Sequence, residues 1–273
     1  ASATPGGYLL ADSSGRVSSC GSSQYFGSVV DPGGFNEVSQ PASFGFPIVG
    51  ISSAPSNQGY WEADSQGHIY TFGNVQFYGD ASSQPLRNPI VGIGSTPDGK
   101  GYWLVASDGG VFAYGDAQFY GSTGSLTLSR PIVGMISTSD GEGYWLVASD
   151  GGVFAFGDAG FYGSKGATIL NRPIVGMAAT PVGAGYWLIA SDGGVFAFGD
   201  ATFLGSFLRI NPSLPSSPSN SIVPCGQMAV GISVTADGGG YWVATSNGNV
   251  VPFGDAPFEG TVGTPPIQNG NNC

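Results

Sequence analysis

The string GYWLVASDGGVFAFGDAGFYGS, residues 143 to 164, stands almost unchanged at 101 to 122 and again at 185 to 206. A chain that repeats itself at a fixed period folds as copies of one small unit, each unable to bury its own apolar face without a neighbour. Aligning the Gly-Tyr pairs gives units at Gly7, Gly59, Gly101, Gly143, Gly185 and Gly240, with 42 residues separating the middle four. A second marker precedes every unit but the first: PIVG at Pro47, Pro89, Pro131 and Pro173, and MAVG at Met228. Near the other end, PPIQNG offers Pro266 and Ile267 as the missing copy.

Inside a unit, PIVGMAAT, YWLVAS, VFAFG and FYGS are short runs of apolar, β-branched and aromatic residues. Turns of the TPDGKG and SDGG kind separate them, and their Asp-Gly pairs suit tight hairpins. Four short strands per unit of about 40 residues predict an all-β fold, a single β-propeller of six four-stranded blades. The expected order from the axis outward is PIVG, YW, VFAF and FYGS. The units then run near 7–46, 47–88, 89–130, 131–172, 173–227 and 228–265, in one domain spanning 1–273, and residues 266–273 are expected to supply the innermost strand of the first blade. In a two-residue alternation the Tyr and Trp of GYW point to opposite faces, which makes Tyr102, Trp103, Tyr144, Trp145, Tyr186 and Trp187 packing residues between blades.

Composition narrows the partners. Charged residues are 9% of the chain, against about 25% in an ordinary soluble domain, and they sum to −11. Two lysines and five arginines are too few to neutralise a phosphate backbone or an anionic bilayer, so neither nucleic-acid binding nor membrane insertion is expected. No apolar run approaches the roughly 18 residues that span a bilayer. The opening ASATPGGY reads as the start of a mature exported chain, so a secreted, extracellular location is expected. Cys20, Cys225 and Cys273 lack metal-site spacing, His68 is the only histidine, and no D-x-D-x-D run is present, so no metal and no cofactor is expected. Cys20 falls on the third strand of the first blade and Cys273 follows the expected closing strand; a Cys20–Cys273 disulfide would lock the ring, with Cys225 an alternative partner for either.

The strings GYWLVASDGGVFAFGDAxFYGS and PIVGMAATPDG together resemble the tandem repeats of secreted actinobacterial proteins. The resemblance is specific over residues 89 to 206 and weaker in the outer units. It implies an extracellular repeat protein, found beside cell-wall hydrolases or other exported domains, and transfers no activity to any residue.

Function in a repeat fold sits where units differ, because shared positions are already occupied by packing. Unit 2 differs most: Glu62 replaces Leu104, Leu146 and Leu188, His68 replaces Gly110, Gly152 and Gly194, and Asp80 replaces Ser122, Ser164 and Ser206. Glu62, Asp80 and Glu37 are the weak catalytic candidates, with Asp31, Glu142 and Glu259 the other non-repeated acids. Two long insertions, 29–46 and 207–227, leave Phe35, Phe44, Phe46 and Phe207 unexplained by the repeat and are expected on the face of the SDGG turns and His68. Arg130 and Arg172 directly precede the marker proline, with Arg87 one residue farther away, so they either form a site for an acidic group or pair with aspartates of the GDA turns. The second aromatic of the FY pair, at Tyr78, Tyr120 and Tyr162, is a candidate sugar contact.

The preferred reading is a secreted, non-catalytic module that binds carbohydrate or cell-wall polymer through its loop-rich face, using Tyr78, Tyr120, Tyr162, Phe35, Phe44, His68, Arg130 and Arg172. One alternative is a glycoside hydrolase, which needs two carboxylates about 5 to 9.5 Å apart across a sugar. Another is a self-associating extracellular structural protein, which the charge of −11 opposes.

Overall fold

The computed structural model describes residues 2–4, 6–30, 45–207 and 227–261. Among them the chain forms strands and turns only, arranged as six antiparallel sheets of three strands. Sheet 1 is β1 (Ser2–Thr4), β2 (Gly7–Ala11) and β3 (Val17–Gly21); sheet 2 is β4 (Ile48–Ser53), β5 (Gly59–Asp64) and β6 (Ile69–Gly73). Sheet 3 is β7 (Ile90–Ser95), β8 (Gly101–Ala106) and β9 (Val111–Gly115); sheet 4 is β10 (Ile132–Ser137), β11 (Gly143–Ala148) and β12 (Val153–Gly157). Sheet 5 is β13 (Ile174–Ala179), β14 (Gly185–Ala190) and β15 (Val195–Gly199); sheet 6 is β16 (Ala229–Val234), β17 (Gly240–Thr245) and β18 (Val250–Gly254).

The turns explain the boundaries. Between β7 and β8 the Thr96 hydroxyl accepts the Gly101 N–H at 3.0 Å and donates to Asp98 at 3.0 Å, so one side chain closes the hairpin. Between β8 and β9 the Asp108 carboxylate accepts the Gly110 N–H at 2.9 Å, and Gly109 takes φ 79°, a conformation glycine adopts without penalty. Asp150 and Asp192 hold the same position in sheets 4 and 5, as structural turn residues.

Every middle strand from β5 to β17 is buried from end to end, which is why GYWLVA reads as an apolar run. Alternation sends Tyr144 toward sheet 3, where its ring centroid lies 5.8 Å from that of Trp103, and sends Trp145 toward sheet 5, 5.8 Å from Tyr186. The same pair forms between Trp61 and Tyr102 and between Trp187 and Tyr241. These aromatics are scaffold, as the alternation predicts. First strands also pack on one another: a Cβ at Gly50 would lie 2.9 Å from Ile93 Cγ2, so the marker glycine permits that approach.

Two expectations need correction. The FYGS run is not a fourth strand, and each sheet has three. Its backbone is held by side chains: the Trp103 indole donates to Gln118 O at 2.7 Å, while Tyr144 of the next sheet accepts the Tyr120 and Gly121 N–H groups at 3.2 and 3.0 Å and donates to Gly121 O. With Gly121 at φ 139° and the Tyr120 and Gly121 N–H groups taken by a side chain, the run does not keep the extended, ladder-bonded backbone of a strand.

The second correction concerns the first sheet. Its missing strand comes from Ser2–Thr4, with Ala3 opposite Tyr8, so the chain's own start fills the place expected for the C-terminal segment. Pro266, Ile267 and the rest of 262–273 lie outside the described residues.

First strands meet in sequence from β1 through β4, β7, β10 and β13 to β16, and β16 also meets β1. The seam between sheets 6 and 1 repeats the other seams: Tyr8 packs at 5.5 Å from Trp242 and donates its hydroxyl to Gly260 O.

Candidate functional site

The seam between sheets 1 and 2 departs most from the repeat. Leu9 stands where sheets 2 to 6 carry Trp, and four positions of sheet 2 that face or flank it have turned polar: Glu62 for Leu, Asp64 for Ala106, His68 for Gly and Tyr70 for Phe112. Asp64 and Tyr70 escape a reading that looks only for outstanding residues. A position-by-position alignment of unit 2 with units 3 to 5 finds both.

Asp64 organises this cluster. One carboxylate oxygen accepts the backbone N–H of Gln66 at 2.9 Å and of His68 at 3.0 Å, capping the turn; the other meets His68 Nδ1 at 2.8 Å and the Tyr70 hydroxyl at 3.1 Å. Asp64 is 1% exposed, and these four contacts offset the cost of burying it. The His68 ring, partly open to solvent, stacks on Phe46 with centroids 6.1 Å apart and planes 15° apart.

Glu62 has no such partners among the described residues. It is fully buried, opposite Ile51 and Tyr70 in the ladder, and neither carboxylate oxygen has a hydrogen-bond partner among the described residues. Burial pushes its pKa up to about 8; the Val29 N–H, outside hydrogen-bond geometry, lowers it, and the Asp12 carboxylate raises it by less. At neutral pH the group is a protonated acid. That is the form a general acid needs, but Glu62 lines neither of the two cavities described below.

The first cavity, about 440 Å³, runs among the first strands of all six sheets, from Ser2 through Ser53, Ser95 and Ser137 to Val234. Its walls are Ser and Thr hydroxyls with Ile, Met and Ala side chains, and they carry no charge. Hydroxyls also tie neighbouring sheets there: Ser2 Oγ accepts the Ser53 N–H at 3.0 Å, and Ser52 Oγ donates to Ser95 Oγ at 3.1 Å.

The second cavity, about 410 Å³, is a groove between sheets 2 and 3, formed by Ala54–Ser56, Gln58, Asn74–Gln76, Tyr78 and Asp98–Gly99. Unit 2 lowers its charge, leaving the Asp98 carboxylate of unit 3 as the charged group of its lining. Gln58 stands where unit 3 has Lys100 and unit 4 Glu142, and Asn74 replaces Asp116, Asp158 and Asp200. The Asn74 amide donates to Gln58 Oε1 at 3.2 Å, and neighbouring Asn57 is the only described residue other than glycine with a positive φ, 55°. Glycine occupies its position in units 3 to 6, at Gly99, Gly141, Gly183 and Gly238. Both cavities lie at the ends of the sheets where first strands finish, opposite the SDGG turns and His68.

The remaining expected residues are dispersed. Tyr78, Tyr120 and Tyr162 are half-buried and donate their hydroxyls to Gly99 O, Gly141 O and Gly183 O at 3.0 to 3.1 Å, which makes them ties between units; Tyr78 also lines the groove. Asp80 is half-buried and accepts Ser82 N–H and O–H at 3.2 and 2.7 Å. Arg130 and Arg172 are exposed and form no ion pair among the described residues, so the pairing expected with the GDA aspartates is absent. Phe207 is a core residue at 2% exposure in the seam between sheets 5 and 6. Cys20 sits opposite Tyr8 as a buried free thiol, and burial raises its pKa. Phe35, Phe44, Asp31, Glu37, Cys225 and Cys273 lie outside the described residues.

The first aromatic of each FY pair was passed over in the sequence. It is the outward one: Tyr25, Phe77, Phe119, Phe161, Phe203 and Phe258 are 39 to 62% exposed. Among the described residues no group of three or more His, Cys, Asp or Glu side chains is placed to hold a metal ion. No protein-family model matches the chain, and no curated protein matches it either.

Proposed function

We propose that the six sheets are blades of one β-propeller and that the molecule is an extracellular, non-catalytic module that binds neutral glycans, with the groove between sheets 2 and 3 as its recognition site. The circuit of first-strand contacts and the repeated Tyr-Trp seam support the propeller. The observation that carries the functional reading is the lining of the groove. Gln58, Asn74 and Gln76 present amides, which both donate and accept, beside Tyr78 and the Asp98 carboxylate, in a cavity large enough for one or two sugar rings. Hydroxyl-rich neutral ligands need such paired donors and acceptors, and at the Asn74 position, where units 3 to 6 all carry Asp, only unit 2 has an amide.

A panel of soluble oligosaccharides titrated calorimetrically against the protein tests this. Binding that falls about tenfold or more in Asn74→Ala/Gln76→Ala, with no reducing sugar released on long incubation, is the expected result. Binding unchanged in that variant would remove the groove, and release of sugar abolished by Glu62→Gln would replace the module with a glycoside hydrolase.

A further inference from the structure

The backbone that carries the outward aromatics is held by side chains of two sheets. The carbonyl before each aromatic accepts the Trp indole of its own sheet, at Gln76, Gln118, Gly160, Thr202 and Pro257, over 2.7 to 2.9 Å. The N–H after it donates to the next sheet's Tyr hydroxyl, from Phe26, Tyr78, Tyr120, Tyr162 and Leu204, over 3.1 to 3.3 Å. Phe77, Phe119, Phe161 and Phe203 therefore have backbone clamps on both sides. Tyr25 keeps one, because Leu9 replaces the Trp of its sheet.

The internal comparison is informative. The second residue of the pair, which faces the next unit, varies from Phe26 and Tyr78 to Leu204 and Glu259. The first residue packs into none of the apolar cores, where any requirement for an aromatic would be explained, yet it is aromatic in all six units. The exposed part of each ring gains nothing for folding. A rigid ring presented to solvent does lower the ordering cost of binding something to its face.

We propose that these six aromatics are stacking platforms for a neutral polysaccharide, one per unit around the molecule, acting with the groove as weak sites on one polymer surface. This rests on the glycan-binding reading and extends it from one site to seven. The occupant follows from three facts. The rings are distributed one to a unit, so a single globular partner covering about 800 Å² meets only a few of them, whereas a polymer surface meets many. Pyranose rings offer flat C–H faces that match isolated aromatic faces. The net charge of −11 repels anionic polymers and also a second copy of the chain.

The test is co-sedimentation of the full chain with microcrystalline cellulose, chitin and insoluble β-1,3-glucan, alongside calorimetry with soluble oligosaccharides. Phe119→Ala/Phe161→Ala/Phe203→Ala should weaken sedimentation by about tenfold or more and leave oligosaccharide affinity unchanged, and circular dichroism should match the wild type because the rings are outside the cores. The matching triple Leu variant should lose as much and the triple Tyr variant little. Undiminished sedimentation of the Ala variant, with wild-type binding intact, would overturn the platforms and leave the groove standing. Retention by the Leu variant would reduce the effect to apolar adsorption and overturn stacking. Absence of all glycan binding by the wild type would remove both readings. Concentration-dependent self-association lost in the Ala variant would assign the rings to contacts between copies and overturn the polysaccharide.

Discussion

Glu62 shows what one buried carboxyl costs the fold. Its pKa in the fold is about 8, well above the roughly 4.3 of an unfolded glutamate. Below the lower value both states are protonated and the residue has no pH-dependent effect. Between the two values the unfolded chain ionises while the fold must keep its proton, so folding weakens by up to about 1.4 kcal/mol per pH unit and levels off above pH 8. Replacing it with the residue its counterparts carry should reverse this. Glu62→Leu is expected to leave stability near pH 4.5 changed only by its packing and to add a further few kcal/mol by pH 8, read from urea unfolding at both pH values. An equal gain at both would mean that the carboxyl is not held protonated.

At the scale of the element, the tyrosine of each middle strand does what an additional strand was expected to do. The Tyr144 hydroxyl takes two N–H groups and supplies one carbonyl of the preceding unit. Tyr144→Phe keeps the ring contacts with Trp103, Tyr120 and Phe156 but strands those backbone groups. A loss of about 1 to 3 kcal/mol is expected, with faster hydrogen exchange at Tyr120 and Gly121 and no change in strand content. This element also marks the limit of what was legible in the sequence. Period, turn positions, the three strands and the opposed faces of Tyr and Trp all follow from local pattern. The state of FYGS does not, because it depends on a hydroxyl 23 residues away. Glu62 and His68 were legible as departures from the repeat, whereas Asp64 and Tyr70 mattered only once a common partner showed that the substitutions belong together. The outward Phe of each FY pair was missed because a one-dimensional pattern identifies an apolar pair without saying which member is clamped and which is turned to solvent.

For the whole molecule, the consequence of the proposed closure is that no seam is an end. Tyr8 and Trp242 repeat between the last and first sheets the contact that Trp145 and Tyr186 make in the middle of the chain. In a closed ring Trp242→Ala should therefore cost about 3 to 5 kcal/mol, as Trp145→Ala should, whereas in an open row of sheets the same substitution would touch only loose ends and cost far less. A loss below about 1 kcal/mol for Trp242→Ala would show that this seam is not made in solution. The seams are not equal, however. Between sheets 1 and 2 Leu9 replaces the Trp and Glu62 is buried without a hydrogen-bond partner among the described residues, so this seam lacks the Tyr-Trp contact of the others and carries a pH-dependent penalty. The ring should then open there first, at β2 and β5, and do so more readily at pH 8 than at pH 5. Native-state hydrogen exchange should give amides of these two strands lower opening free energies than their counterparts in β8, β11 and β14, with the difference growing as pH rises and narrowing in Glu62→Leu. Uniform protection around the ring at pH 8 would mean that the substitutions at this seam cost the fold nothing, and that sheets 1 and 2 are joined as firmly as the rest.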